Sequence, residues 1–160
     1  MQKPCSKDNL SQLIDRLVAD YPDIKFAIDS EFHWSPERKI LFYKNDNLPE
    51  SPHLLLHELA HATLSHQRYF YDNELVKMEL DAWEHSRQNF YPKYHTNFDQ
   101  NLADDYLDYY RNWLYARSCC PSCQMIGQQD KTLDYHCLSC HQRWRASPAK
   151  TTQLKRHKIK

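Results

Sequence analysis

Glycine is nearly absent from this chain, with one in 160 residues where ordinary usage of ~7% would give about 11. Walker A loops, G-x-G-x-x-G turns and nucleophile elbows each need more than one glycine, so phosphate-cradling NTPases, dinucleotide-binding folds and α/β-hydrolases are excluded. Long apolar runs are missing too. None approaches the ~20 residues of a membrane span, and the opening MQKPCSKDNL lacks the apolar stretch of a secretory signal. Neither membrane insertion nor export is expected.

Net charge is also absent, with 21 Lys+Arg against 21 Asp+Glu. The zero conceals a split. Residues 1–116 hold 12 Lys+Arg and 19 Asp+Glu, whereas residues 117–160 hold 9 Lys+Arg and only Asp130 and Asp134. Two parts with different partners are expected. Content that is 41% hydrophobic and 13% aromatic favours a packed core over disorder. The length suits one modest domain with an appendage, since single cores run to ~100–150 residues.

Periodicity outlines the elements. Leu10, Leu13, Ile14, Leu17 and Val18 recur at helical spacing, so a helix over Asn9–Tyr21 is expected, capped by Asp8 or Asn9 and ended by Pro22. Short runs rich in β-formers at Ile24–Ile28, Phe32–Trp34 and Lys39–Tyr43 read as a small sheet, the last two as a hairpin. Ser51 as N-cap and Pro52 at the first helical position open a helix to about Gln67. Asp72 or Asn73 caps a third helix from Glu74 to Asn89, closed by Pro92, and a fourth covers Leu102–Arg117.

The second of these helices contains His57-Glu58-Leu59-Ala60-His61, an H-E-x-x-H motif. Residues four apart lie on one helix face, so both imidazoles can reach one metal ion. Glu58 beside the first ligand is placed to act as a base toward water rather than as a ligand. The flanking leucines bury this helix, and buried His-Glu-His requires compensation that a metal would supply. His53 and His66 flank the motif and read as capping or surface residues. A third protein ligand is needed, leaving a fourth position for water. Glu79 on the following helix is the choice, with Asp81 and Glu84 as alternatives; Glu79 and Asp81 cannot share a helix face. The chemistry implied is metal-assisted hydrolysis, with Glu58 moving the proton from water to the leaving amine. Tyr69, Tyr71, His85 and Tyr91 are candidate oxyanion donors, without a choice among them.

LLLHELAHATLSH followed by ELDAW resembles the gluzincin metallopeptidases, specifically the compact ImmA/IrrE-like group, over roughly Phe26–Trp83. The resemblance implies His57, His61 and Glu79 as zinc ligands and Glu58 as general base. It further implies a small helix-and-sheet fold whose edge strand pairs with an extended peptide. Trp83 stands where members often carry Asp or Asn to support a ligand histidine, leaving Asp81 or Glu84 for that role. The SprT/Spartan-like proteases are the second similar group, in which His85 or His95 would be the third ligand.

The cysteines carry a second signal. Cys120-Pro-Ser-Cys123 and Cys137-Leu-Ser-Cys140 have the spacing of two knuckles that close a four-thiolate, structural zinc site. So short a module would take its folding energy from the metal. Gly127, just after the first knuckle, is expected where a turn needs positive φ. Cys119 could compete with Cys120, but the spacing favours Cys120; His136 and His141 read as bystanders, and Cys5 has no evident partner. Arg143, Trp144 and Arg145, with the basic tail beyond, are compatible with phosphate contacts and base stacking on Trp144; the alternatives are Trp144 packed in the ribbon beside a solvated basic tail, and a basic module that docks on the acidic body. Two thiol pairs rather than a disulfide framework point to a reducing compartment, the cytoplasm.

The sequence thus predicts an α+β chain: a zincin-like metallopeptidase domain (1–117) with an N-terminal helix, small sheet, H-E-x-x-H helix and further helices, a zinc ribbon (118–146) and a mobile basic tail (147–160). The predicted function is zinc-dependent endoproteolysis of a protein substrate with two zinc ions per chain, the ribbon recruiting substrate or nucleic acid. The alternatives are a non-catalytic nucleic-acid- or protein-binding ribbon beside a degenerate H-E-x-x-H site, and a scaffold with two structural metals.

Overall fold

The amphipathic N-terminal stripe forms α1 (Leu10–Asp20), with Leu10, Leu13 and Leu17 buried, although Val18 points outward and is 49% exposed. The computed structural model describes residues 10–148 and 154–159, so the expected cap at Asp8 or Asn9, and Cys5, lie outside it. Three strands follow, β1 (Lys25–Ile28), β2 (His33–Ser35) and β3 (Ile40–Tyr43). β3 is central, parallel to β1 and antiparallel to β2, in the order β1-β3-β2. The hairpin expectation holds for β2 and β3, and β2 is an edge strand.

α2 (Ser51–Thr63) begins one residue earlier than the capping argument placed it. Glu50 occupies the N-cap without a side-chain bond, and the Ser51 hydroxyl donates instead to the Asp46 carboxylate. Pro52 sits in the first turn, where its missing N–H costs nothing. α3 (Asp72–Tyr94) runs through Pro92 in its last turn. There the proline removes one bond without ending the helix, and the stop falls at His95, left-handed at φ 55°. α4 (Gln100–Ser118) starts at Asp99, whose carboxylate accepts the Leu102 N–H at 3.0 Å.

Among the described residues the chain divides into two compact units. One takes in the chain up to Gln67 together with Asp81–Leu102; the other takes Arg68–Leu80 with the chain from Ala103 onward. The division therefore falls inside α3, and the expected border at 117/118 lies within the second unit. The first unit closes over Leu17, Leu41, Leu55, Leu56, Leu59, Ala82 and Tyr94, each large aliphatic worth roughly 1.5–3 kcal/mol of burial.

The second unit joins α4 and the start of α3 to the cysteine module. Strands β4 (Gln128–Gln129), β5 (Tyr135–His136), β6 (Arg143–Ala146) and β7 (Arg156–Ile159) form one antiparallel sheet in that order. The tail expected to be mobile thus supplies a strand, Arg156–Ile159, paired along β6. A buried ion pair lies within this unit. Arg117 Nε donates to Asp72 at 2.7 Å and the Tyr135 hydroxyl donates to the same carboxylate at 2.6 Å. Trp144, fully buried, donates its indole N–H to the Arg117 carbonyl at 2.9 Å.

Candidate metal centres

The i, i+4 spacing on α2 turns His57 and His61 the same way, and both rings are buried. Their Nε2 atoms lie 3.1 Å apart, near the ~3.3 Å edge of a tetrahedron with zinc–nitrogen bonds of ~2.0–2.1 Å. Buried Glu79 on α3 completes the group: one ligand atom from each of His57, His61 and Glu79 lies within 4.8 Å of the others. Two imidazoles and a carboxylate are the donor set of a zinc site with one position left for water, so these three residues could hold the ion.

The alternatives are placed elsewhere. Glu84 is held by Arg87 at 2.6 Å and by Gln88. His85 contacts Thr63 at 3.3 Å, His95 is exposed in its left-handed turn, and Asp81 is not part of the group. Glu58, half-buried on α2, accepts the backbone N–H of Trp34 at 2.8 Å. The candidate base is therefore tied to the edge strand β2.

Two further side chains touch the histidines. Trp83, 2% exposed, lays its indole against the His57 ring with centroids 4.3 Å apart. At this position the chain packs an aromatic plane against the histidine ring. His66, expected at the surface, meets His61 with Nδ1 atoms 2.8 Å apart. Sequence reasoning missed it because the turn that folds it back is not written in the H-E-x-x-H spacing. His53 is also engaged: its Nδ1 meets the Tyr91 hydroxyl at 2.7 Å. Burial pushes the His53 pKa down and the Tyr91 pKa up. Of the other oxyanion candidates, Tyr69 packs edge-on against Trp113 and Tyr71 against Phe70.

In the cysteine module, Cys120, Cys123, Cys137 and Cys140 bring their sulfurs within 4.8 Å of one another. Cys120 and Cys140 sulfurs are 3.6 Å apart, and those of Cys123 and Cys137 3.4 Å. A tetrahedron of ~2.3 Å zinc–sulfur bonds would set them ~3.8 Å apart. The two knuckles share one backbone pattern. Cys120 N–H donates to Met125 O and Gln124 N–H to Cys120 O; Cys137 N–H donates to Gln142 O and His141 N–H to Cys137 O. In both, the residue four after the first cysteine is left-handed, Gln124 at φ 63° and His141 at 61°. N–H groups of Ser122 and Cys140 also donate to Cys120 and Cys137 sulfurs.

Burial pushes the Cys120 thiol up, but N–H bonds from Cys123 and Ser122 outweigh it and bring the pKa down to about 6. Cys123 goes the other way. The Met125 N–H pulls it down, yet the neighbouring sulfurs of Cys140 and Cys137 drive it up to about 12. Sulfurs this close cannot all ionise without a cation between them, and a metal would satisfy all four. Cys119 stays out, its thiol directed at the Gln124 carbonyl.

No family model, curated protein or solved structure matches this chain. The two donor clusters stand on their own geometry.

That geometry corrects two expectations. Trp144 offers no face to a base: it is fully buried, nearly parallel to the Tyr135 ring at 5.5 Å. Arg143 and Arg145, expected to meet phosphates, face their own carboxylates. Arg143 pairs with Asp130 at 2.8 Å, and Arg145 forms two bonds with Asp134 at 2.6 and 3.0 Å. These contacts hold both aspartates below the usual carboxylate range, with Thr132 the larger influence on Asp130 and Arg145 on Asp134. Gly127 is the second correction. It has no positive φ; its constraint is space, since a Cβ there would lie 2.3 Å from the Trp144 ring and 2.7 Å from the His136 carbonyl.

Proposed function

We propose that this chain is a zinc-dependent metalloendopeptidase acting on a protein substrate, its zincin-like catalytic part joined to a zinc ribbon. The observation that carries the reading is the convergence of His57, His61 and Glu79, with Glu58 on the same helix hydrogen-bonded to the edge strand. His57, His61 and Glu79 would hold the catalytic ion. Such an ion supplies a Lewis acid for the scissile carbonyl and an activated water.

The protein's own contribution is position. Trp34 N–H holds Glu58 Oε2 in one orientation, so the carboxylate that takes a proton from the attacking water is aimed before substrate arrives. Glu58 then returns that proton to the leaving amine nitrogen. The short edge strand β2 lies beside this carboxylate and suits an extended peptide laid along it. In the second centre, Cys120, Cys123, Cys137 and Cys140 would close the coordination of a structural ion. The cytoplasm, which keeps such thiols reduced, is the compartment we assign. Lys155 and Lys158 of the tail are the cations we assign to recruiting substrate or nucleic acid, while Arg156 donates to the Cys119 carbonyl at 2.6 Å.

Glu58→Gln tests the reading. It should abolish cleavage of a fluorogenic peptide library and of unfolded protein while leaving two zinc ions per chain and the fold intact. Equal cleavage by wild type and variant would overturn the enzyme assignment. A single ion, lost from Cys120→Ser and retained by His57→Ala, would favour a binding module whose H-E-x-x-H helix is degenerate.

A further inference from the structure

α2 ends in a turn that does more than stop the helix. Leu64 is the C-cap, and the next residue, Ser65, is left-handed at φ 56°. Ser65 N–H donates to the Ala62 carbonyl at 3.1 Å and His66 N–H to the His61 carbonyl at 3.0 Å. These are the paired backbone bonds of a Schellman motif, which brings the second residue after the cap over the residue three before it. Such contacts are usually apolar. Here the two positions are His66 and His61, and the contact is a hydrogen bond of 2.8 Å between their Nδ1 atoms, with rings 4.9 Å apart and 66° inclined.

A neutral imidazole carries one proton, and only the bare nitrogen can ligate. His61 turns Nε2 toward His57 Nε2, so ligation there requires its proton on Nδ1. Something must accept that proton's hydrogen bond, a role usually taken by a carboxylate, carbonyl or water. His66 Nδ1 lies where this acceptor is needed.

We infer that His66 is a positioning residue: its Nδ1 accepts the His61 Nδ1–H, holding His61 in the tautomer and ring orientation that present Nε2 to the metal. The inference rests on the metal-site reading proposed above. It adds a sixth residue to His57, Glu58, His61, Glu79 and Trp83, one that touches neither substrate nor metal. It also explains why the motif's histidine continues as A-T-L-S-H: the spacing is that of a helix stop, five residues from carbonyl to returning N–H.

The discriminating comparison is His66→Phe against His66→Asn in the full chain. Asn places its Oδ1 as many bonds from the backbone as His Nδ1 and can accept; Phe fills the same space and cannot. Zinc affinity of the His57/His61 site is measured by chelator competition, with the cysteine-held ion as internal reference. Histidine ring nitrogens are read by long-range proton–nitrogen NMR of the zinc-loaded protein. Loss of the acceptor should weaken binding ~10–100-fold in His66→Phe and lose the uniform Nδ1–H tautomer of His61, whereas His66→Asn keeps both. Thermal melting of the metal-free proteins reports any shared folding defect. Affinity unchanged in His66→Phe, or equally reduced in both variants, overturns the inference while the metal-site reading stands. A wild type that binds one ion, unaffected by His57→Ala, overturns both.

Discussion

Substituting alanine for the chain's one glycine should damage the cysteine module. Gly127 has an ordinary φ, and at such a site Gly→Ala normally stabilises by ~0.4–1 kcal/mol through the unfolded chain. Packing acts in the opposite direction. The added Cβ would lie 2.3 Å from Trp144 Cη2, 3.0 Å from Cζ2 and 2.7 Å from the His136 carbonyl oxygen. Carbon atoms rest ~3.5–4.0 Å apart, so the indole or the backbone would have to retreat by more than ~1 Å. Neither can do so cheaply. The indole is held by the Arg117 carbonyl and the Tyr135 ring, and the His136 carbonyl belongs to β5. Overpacking of this kind costs ~1–3 kcal/mol and exceeds the backbone gain. Urea unfolding at saturating zinc should therefore give Gly127→Ala a net loss of ~1–2 kcal/mol, with weaker zinc retention by the four cysteines. Stability within ~0.5 kcal/mol of wild type, the range of an inert surface change, would refute the steric argument.

Two further outcomes follow from the ion pairs. Arg117→Met leaves Asp72, 4% exposed, without its cation, and should cost ~3–5 kcal/mol in urea unfolding. The double change Arg117→Met with Asp72→Asn should lose less than the single change, and an equal or larger loss would contradict the buried-charge explanation. In the first unit, the Tyr94 hydroxyl and then Lys93 hold the Asp20 carboxyl below its ordinary value. A depressed folded pKa contributes stability that is complete above the unfolded value of ~3.9 and is lost as pH falls through the folded value. Asp20→Asn should accordingly be less stable than wild type at pH 6, with the gap closing below pH ~4; a gap independent of pH across denaturation midpoints would exclude the linkage.

Much of the local structure was legible because it follows from spacing. The stripe of Leu10, Leu13 and Leu17 identified α1, the β-rich runs identified the three strands, and x2 spacing chose Cys120 over Cys119. Ends were less legible. Ser51 looked like an N-cap but bonds Asp46, since a hydroxyl takes whichever partner the folded loop offers. Pro92 looked like a stop but sits where its missing N–H disrupts little. Partners across the fold were the least legible. Trp83 against His57, and Arg143 and Arg145 on Asp130 and Asp134, depend on chain segments brought together by packing, which periodicity does not encode, and His66 on His61 depends on a left-handed Ser65 that no glycine announces.

By itself the sequence determined the α+β class, the paired histidines and four cysteines at ligand spacing, and the classes that scarce glycine excludes, because each depends on residue type and short spacing. What the glycine is for was decided by the tertiary structure. Lys39, Ser65, His95, Gln124, Leu133 and His141 take up the left-handed turns, a strain of ~1–3 kcal/mol each that surrounding contacts must hold. Ser65 and His95 end helices, and Gln124 and His141 close the knuckles. Gly127 is kept for a different demand, the absence of a Cβ beneath Trp144. A left-handed φ can be imposed on a side-chain-bearing residue by its neighbours, but an atom cannot occupy space an indole already fills.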